Sequence, residues 1–183
     1  MSTRMEYAQQ PVARCLERME RTVEEIIAAI GDQGDEVLSR RPAPMSWSAK
    51  EVICHLRDIE EVFLLRFRTM LAMDEPKFLV LGEMPHDPAA WGIVEGDAMP
   101  LDPDRWAEER QYQRNDAMAA LAALRRRRQE SLAFLIRLEP DQWRRVSIHT
   151  TLGRMTFADW VALVAAHDDK HVAQLKRALE GRP

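Results

Sequence analysis

Four stretches of this chain repeat their apolar residues at a period near 3.6. That pattern restricts the fold more than anything else in the sequence, because each such stretch must bury one face of a helix. Val12, Cys15, Leu16, Met19, Val23, Ile26, Ile27 and Ile30 predict the first helix, ended by Gly31. A short helical turn is expected near Glu36 to Ser39, before Pro42 and Pro44 interrupt. Ser48 and Glu51 form an S-x-x-E capping box opening the second helix. That helix carries Val52, Leu56, Ile59, Val62, Phe63 and Met70, with His55 on the same stripe, and fades near Ala72. The third is expected from near Asp104 to Leu138, with Ala117, Leu121, Leu124, Ser131, Leu135 and Leu138 on its stripe. Arg128 falls on that stripe too, an unusual position for a charge. The fourth opens at Thr156, with Asp159 three residues on, and stops at Gly181. Its inner face holds Trp160, Leu163, Val164, His167, His171, Leu175 and Ala178.

Four amphipathic helices in 183 residues predict an all-α, four-helix-bundle domain spanning residues 1–183. Residues 73–103 break the pattern with several prolines and glycines and form a long irregular segment between the second and third helices. The only strand-like run is Lys77 to Leu81, and residues 141–154 read as a connector.

Charge and composition exclude several functions. The formal net charge of -4 disfavours a nucleic-acid partner. Arg125 to Arg128 do not reverse this, because on a helix four consecutive side chains fan around the axis. No apolar run approaches the roughly 18 residues of a membrane span, and the N-terminus does not resemble a signal peptide. Two cysteines, Cys15 and Cys54, both lie in apolar helical stretches and are expected as free core thiols in a reducing, cytoplasmic protein.

The chemistry is concentrated in "AAHDDKHVAQL". On a helix, His167 and His171 are about 400° and about 6 Å apart, so both imidazoles face one point. The spacing is that of H-E-x-x-H zinc proteases, but Asp168 stands where the catalytic Glu belongs, and no histidine follows His171. A third metal ligand must therefore come from upstream, where His55, His86 and His149 are the candidates. His55 is favoured because a packed helix holds a ligand rigidly. Three imidazoles suit zinc, nickel or another late first-row divalent ion and leave positions open for water or substrate. Asp58 and Gln174, each about one turn from a candidate ligand, either orient the imidazoles or stand as exposed polar residues. Arg128 pairs with a buried acid, reaches the pocket or snorkels its head to solvent. Trp47 is expected to staple the second helix to the bundle. The irregular segment, led by Trp91 and His86, is expected either to fold back over the metal end and form the substrate pocket or only to cover a hydrophobic groove or a dimer contact, with His149 approaching from one end of the bundle.

Two stretches carry a family resemblance. "PMSWSAKEVICHLRDIEEVF", with Trp47, Ser48, Glu51, His55 and Asp58, resembles the second-helix signature of the DinB-like superfamily. "GRMTFADWVALVAAHDDKHVAQL", with Gly153, Thr156, His167, His171 and Gln174, resembles its last-helix signature. "HDPAAW" and "DQWRRVSIHTTLGR" are similar to the same family. The resemblance implies an up-down-down-up four-helix bundle holding one divalent metal, zinc or nickel, through His55, His167 and His171. It further implies a small-molecule substrate and a homodimer. Relatives include transferases that use low-molecular-weight thiols such as bacillithiol or mycothiol, a thiol-dependent maleylpyruvate isomerase, and metal-dependent hydrolases. The expectation is a thiol-dependent S-transferase acting on small electrophiles, with a hydrolase using metal-bound water, or a non-catalytic metal-binding stress protein, as alternatives.

Overall fold

The computed structural model describes residues 4–79, 84–94 and 102–183. Its helices are α1 (Arg4–Ala8), α2 (Val12–Ile30), α3 (Asp35–Ser39), α4 (Ala49–Ala72), α5 (Pro103–Glu109), α6 (Ala117–Leu135) and α7 (Phe157–Leu179). Helices α2, α4, α6 and α7 make a four-helix bundle.

The ends of these helices follow local chemistry. Ser48 accepts from the Glu51 amide while the Glu51 carboxylate accepts from the Ser48 amide, closing the capping box of α4. Thr156 and Asp159 do the same for α7. Asp116 caps α6 by accepting from the Ala119 amide at 2.7 Å. Gly31 ends α2 at φ 51°, where a side chain would be strained.

Chain direction follows from which ends meet. Arg57, early in α4, donates to Asn115 just before α6, so these helices start at the same end. At the opposite end, Arg145 donates to the Met70 carbonyl at the close of α4, and α7 begins soon after. Helices α4 and α6 therefore run parallel, and α2 and α7 run against them, giving the up-down-down-up order. Two parallel neighbours need a long crossover, which is the role of the residues between α4 and α6.

The third predicted helix is not continuous. Helix α5 stops at Glu109, Gln111 takes a left-handed backbone (φ 51°), and a short 3-10 turn spans Tyr112–Arg114. Asn115 Nδ2 donates to the carbonyls of Arg110 and Gln111, satisfying the end of the turn. The break drives Tyr112 into the core, where its hydroxyl donates to Asp58 at 3.0 Å. The short helix α1 escaped sequence patterning. A small sheet of three strands was foreshadowed only at β1 (Lys77–Phe78), which lies in the strand-like run; β1 pairs parallel with β2 (Val146–His149), and β2 pairs antiparallel with β3 (Gly153–Thr156), both in the stretch expected as a connector. Runs of two to four residues are too short to display a period of two.

The apolar core falls into two clusters. One holds Val23, Ile26, Val52, Leu56, Leu124 and Leu175. The other holds Met19, Phe63, Phe67, Leu135, Phe157 and Trp160. Between them lies a buried polar layer to which each bundle helix contributes one residue: Thr22, Glu60, Arg128 and Asp168. Arg128 donates to Asp168 at 2.5 Å, to Glu60 at 2.7 Å and to the Met19 carbonyl at 2.6 Å, and Thr22 donates to Asp168 at 2.6 Å. Burial alone would lower the Arg128 pKa, but Asp168 and Glu60 hold it above the ordinary value. Arg128 thus pairs with buried acids and does not line the pocket described below.

Candidate metal centre

His55 sits two turns into α4, and His167 and His171 sit one turn apart on α7, at the end of the bundle where α4 begins. Their candidate ligand atoms all lie within 4.8 Å of one another. His55 Nε2 and His167 Nε2 are 3.2 Å apart. A tetrahedral zinc ion with bonds of about 2.0–2.1 Å spaces its ligand atoms roughly 3.4 Å apart, a spacing the His55–His167 pair already has, with His171 close enough to join them by a small side-chain shift.

The tautomer of His171 is set by its neighbour. Gln174 Oε1 accepts from His171 Nδ1 at 2.8 Å, which leaves the Nε2 lone pair free. Among the described residues, His55 Nδ1 and His167 Nδ1 are buried without hydrogen-bond partners. Burial, followed by the charge of neighbouring groups, holds both rings well below the usual histidine pKa, and burial pushes His171 down to about 4. All three rings are therefore neutral at physiological pH, as metal ligation requires.

The aspartates between the two histidines serve packing. Asp168 enters the polar layer, and Asp169 accepts from the Tyr7 hydroxyl at 2.9 Å and pairs with Arg18. These contacts fix the rotation of α7 against α1, α2 and α6, and so aim His167 and His171 at His55.

The imidazoles open onto a cavity of about 630 Å³. Trp47 forms one wall, its ring 4.9 Å from that of His55 and stacked on His171 at 6.3 Å. Its indole Nε1 donates to Asp104 at 2.9 Å. Ile59, Phe63 and Leu163 supply apolar lining, and Lys170, Arg177 and Arg182 supply positive charge. Trp47, expected only as a staple, is thus a site residue. Its position just before a helix whose first turns carry His55 was the available signal.

Several expected site residues lie elsewhere. Asp58 does not orient His55. It is held by Arg57, Arg110, Arg127 and Tyr112, and although burial would raise its pKa, these partners keep it below the ordinary carboxylate value. His86 is exposed, and Trp91 is half-buried with Lys77 Nζ 5.6 Å from its ring; neither lines the cavity. The wall comes instead from residues 42–47, Pro103, Asp104 and the C-terminal residues. Residues 80–83 and 95–101 of the segment expected to cover the site, Leu81 included, lie outside the described residues. His149 does line the cavity, with Nδ1 accepting from the Thr151 and Leu152 amides to close its hairpin turn. Cys54 points away from the histidines towards the Tyr112 carbonyl, and burial pushes its thiol up to about 11, so it is no nucleophile here.

Comparison with known proteins places this arrangement. The sequence profile of the DinB superfamily matches residues 8–175. Among solved structures, the chain is similar to YfiT from Bacillus subtilis, described as a probable metal-dependent hydrolase with an unusual four-helix bundle topology. The TM-score is 0.74 at 20% sequence identity, covering 93% of this chain and 86% of that one. No curated protein matches the chain by sequence.

Proposed function

Because this chain belongs to the DinB superfamily, we propose that it is a metal-dependent enzyme in which His55, His167 and His171 hold one divalent ion, zinc or nickel by the chemistry of an all-imidazole set. Such an ion would supply Lewis acidity and lower the pKa of a thiol or water bound to it. The remaining work belongs to the chain's own side chains. Gln174 holds the proton on His171 Nδ1 and aims Nε2 into the gap. Trp47, Ile59 and Phe63 exclude water from the approach to the imidazoles. Lys170 and Arg177 at the rim attract an anionic co-substrate.

The reading supported best is transfer of a low-molecular-weight thiol to a small electrophile. One observation carries it. Among the described residues, Asp104 is the one acidic side chain that lines the cavity, and its Oδ1 is engaged by the Trp47 indole, so no unengaged acidic side chain stands in the lining to activate a water. A thiol, with an ordinary pKa of about 8.5, needs far less assistance to ionise than water does. Two buried free thiols fit a protein of a reducing compartment, which is where such co-substrates are found.

The test is elemental analysis of purified protein, followed by incubation of an electrophile such as monochlorobimane with bacillithiol, mycothiol or glutathione. Conjugation above the uncatalysed rate, lost in His167→Ala, is the expected result. The second reading, a metal-dependent hydrolase, draws on the description of YfiT. Turnover of an activated ester without thiol would favour it over the first.

A further inference from the structure

Arg66 is a buried cation with no acid beside it among the described residues. Its relative exposure is 6%, yet among the described residues no carboxylate lies within ion-pair distance. The other deeply buried arginines do not share this condition: Arg18 pairs with Asp169, and Arg128 with Glu60 and Asp168. Arg66 instead sits among aromatic rings, its Cζ 5.2 Å from the Trp160 centroid, 5.8 Å from Phe78 and 5.9 Å from Phe63. One donor, Nη2, is used on the Leu79 carbonyl at 2.6 Å. A guanidinium has five N–H donors in a fixed fork, and among the described residues only the Leu79 carbonyl accepts from that of Arg66. Burial pushes its pKa down to about 10, which leaves it fully cationic at neutral pH.

A desolvated charge without a counter-ion costs stability, and a fold keeps one where a ligand completes it. The position of Arg66 indicates which ligand. It lines the same cavity as the three histidines. Phe63 stands between them, its ring 5.9 Å from that of His167 and from Arg66 Cζ. One aromatic ring therefore separates the guanidinium from the imidazole cluster.

We infer that Arg66 is the anion anchor of this pocket, and that the small-molecule substrate carries a carboxylate, or a planar oxyanion like it, about one ring-width from its reacting atom. The fork of the guanidinium matches a carboxylate bidentately. The surrounding rings suit an apolar or aryl body between the two ends. Lys170 at the open rim cannot serve the same role, because exposed charges are screened and bind weakly; it steers and Arg66 anchors. This inference rests on the cavity being the active site, and it deepens the reading proposed above.

The test uses phenylacetate and its neutral isostere phenylacetamide as probes of the metal-loaded protein, read by thermal shift and calorimetric titration. Phenylacetate is expected to stabilise the wild type and phenylacetamide to bind at least tenfold more weakly. Arg66→Met should lose the preference with metal content unchanged. Arg66→Lys, which keeps the charge but not the fork, should bind phenylacetate at least tenfold more weakly than wild type. A wild type with no anion-dependent shift, or an Arg66→Met protein with the same preference, overturns the assignment. His167→Ala separates the two readings. An anion preference that persists after metal is lost supports Arg66, whereas one that disappears with the metal places the anion on the ion and overturns it, leaving the metal reading intact. A wild type that holds no metal yet shows the Arg66-dependent preference supports the anchor and removes the metal reading.

Discussion

His55 Nε2 and His167 Nε2 stand 3.2 Å apart although 112 positions separate them in the chain. Two neutral ring nitrogens at that distance share at most one proton, and the pair gains little on its own. Among the described residues, neither Nδ1 atom has a hydrogen-bond partner, and both are buried. The proposed divalent ion, with His171 completing its ligand set, would account for the desolvation this arrangement costs.

The first expectation is therefore one divalent ion per chain. His55→Ala, His167→Ala and His171→Ala should each abolish its retention through gel filtration. Chelation should lower the melting temperature, since a ligand at a thousand times its Kd stabilises by about 4 kcal/mol. Elemental analysis and paired melts with and without chelator check both points.

Metal-free protein should weaken on acidification. In the unfolded chain an imidazole takes its proton near about pH 6.5. In the folded chain His171 takes it only near about 4, and His55 and His167 are held well below the ordinary value too. Between these values the unfolded chain binds more protons, so lowering the pH favours unfolding. The stability is fully present above about pH 6.5 and is lost as pH falls through about 4, with His171 alone contributing on the order of 3 kcal/mol. Urea titrations across this range in chelator measure it, and a flat profile would contradict the burial of neutral imidazoles.

Gln174→Leu should leave the fold intact and weaken metal retention by about 10–100-fold, because His171 loses the acceptor that sets its tautomer. Competition with a chromogenic chelator reads the affinity, and unchanged affinity would mean the His171 ring is held by packing alone.

The polar layer should respond asymmetrically. Asp168→Ala leaves Arg128 without its closest acid and should cost about 3–5 kcal/mol in denaturant unfolding. A loss below about 1 kcal/mol would place the pair among weak surface bridges instead.

Trp47→Ala should impair small-molecule binding or turnover while metal content is kept, since its ring lies against His55 and His171 but offers no ligand atom. Trp91→Ala should leave both unchanged, because Trp91 does not line the cavity. The reverse result would move the substrate pocket to the irregular segment.

Local chemistry made several of these elements readable in advance. The capping boxes Ser48–Glu51 and Thr156–Asp159 and the glycine at 31 act within one turn of chain, so the starts of α4 and α7 and the end of α2 follow from adjacent residues alone. The i, i+4 spacing placed His167 and His171 on one face for the same reason. The break at Gln111 was not readable, because it is held by Tyr112 reaching Asp58, a contact across 54 positions. Asp58 itself shows the limit of spacing arguments. It stands one turn from His55, yet four partners from α4, α6 and the crossover turn it elsewhere.

The sequence by itself thus determined four amphipathic helices, their caps and a pair of histidines presented together, because periodicity and capping are short-range. It also nominated His55 through that residue's place on an apolar stripe. Only the tertiary structure decided that Arg128 is a core ion pair, that Trp47 walls the cavity where Trp91 does not, and that Arg66 meets no acid among the described residues. Each of these depends on which residue of a distant helix lies opposite. A charge's fate in a low-dielectric interior is set by its nearest partner in space, and no local pattern encodes that partner.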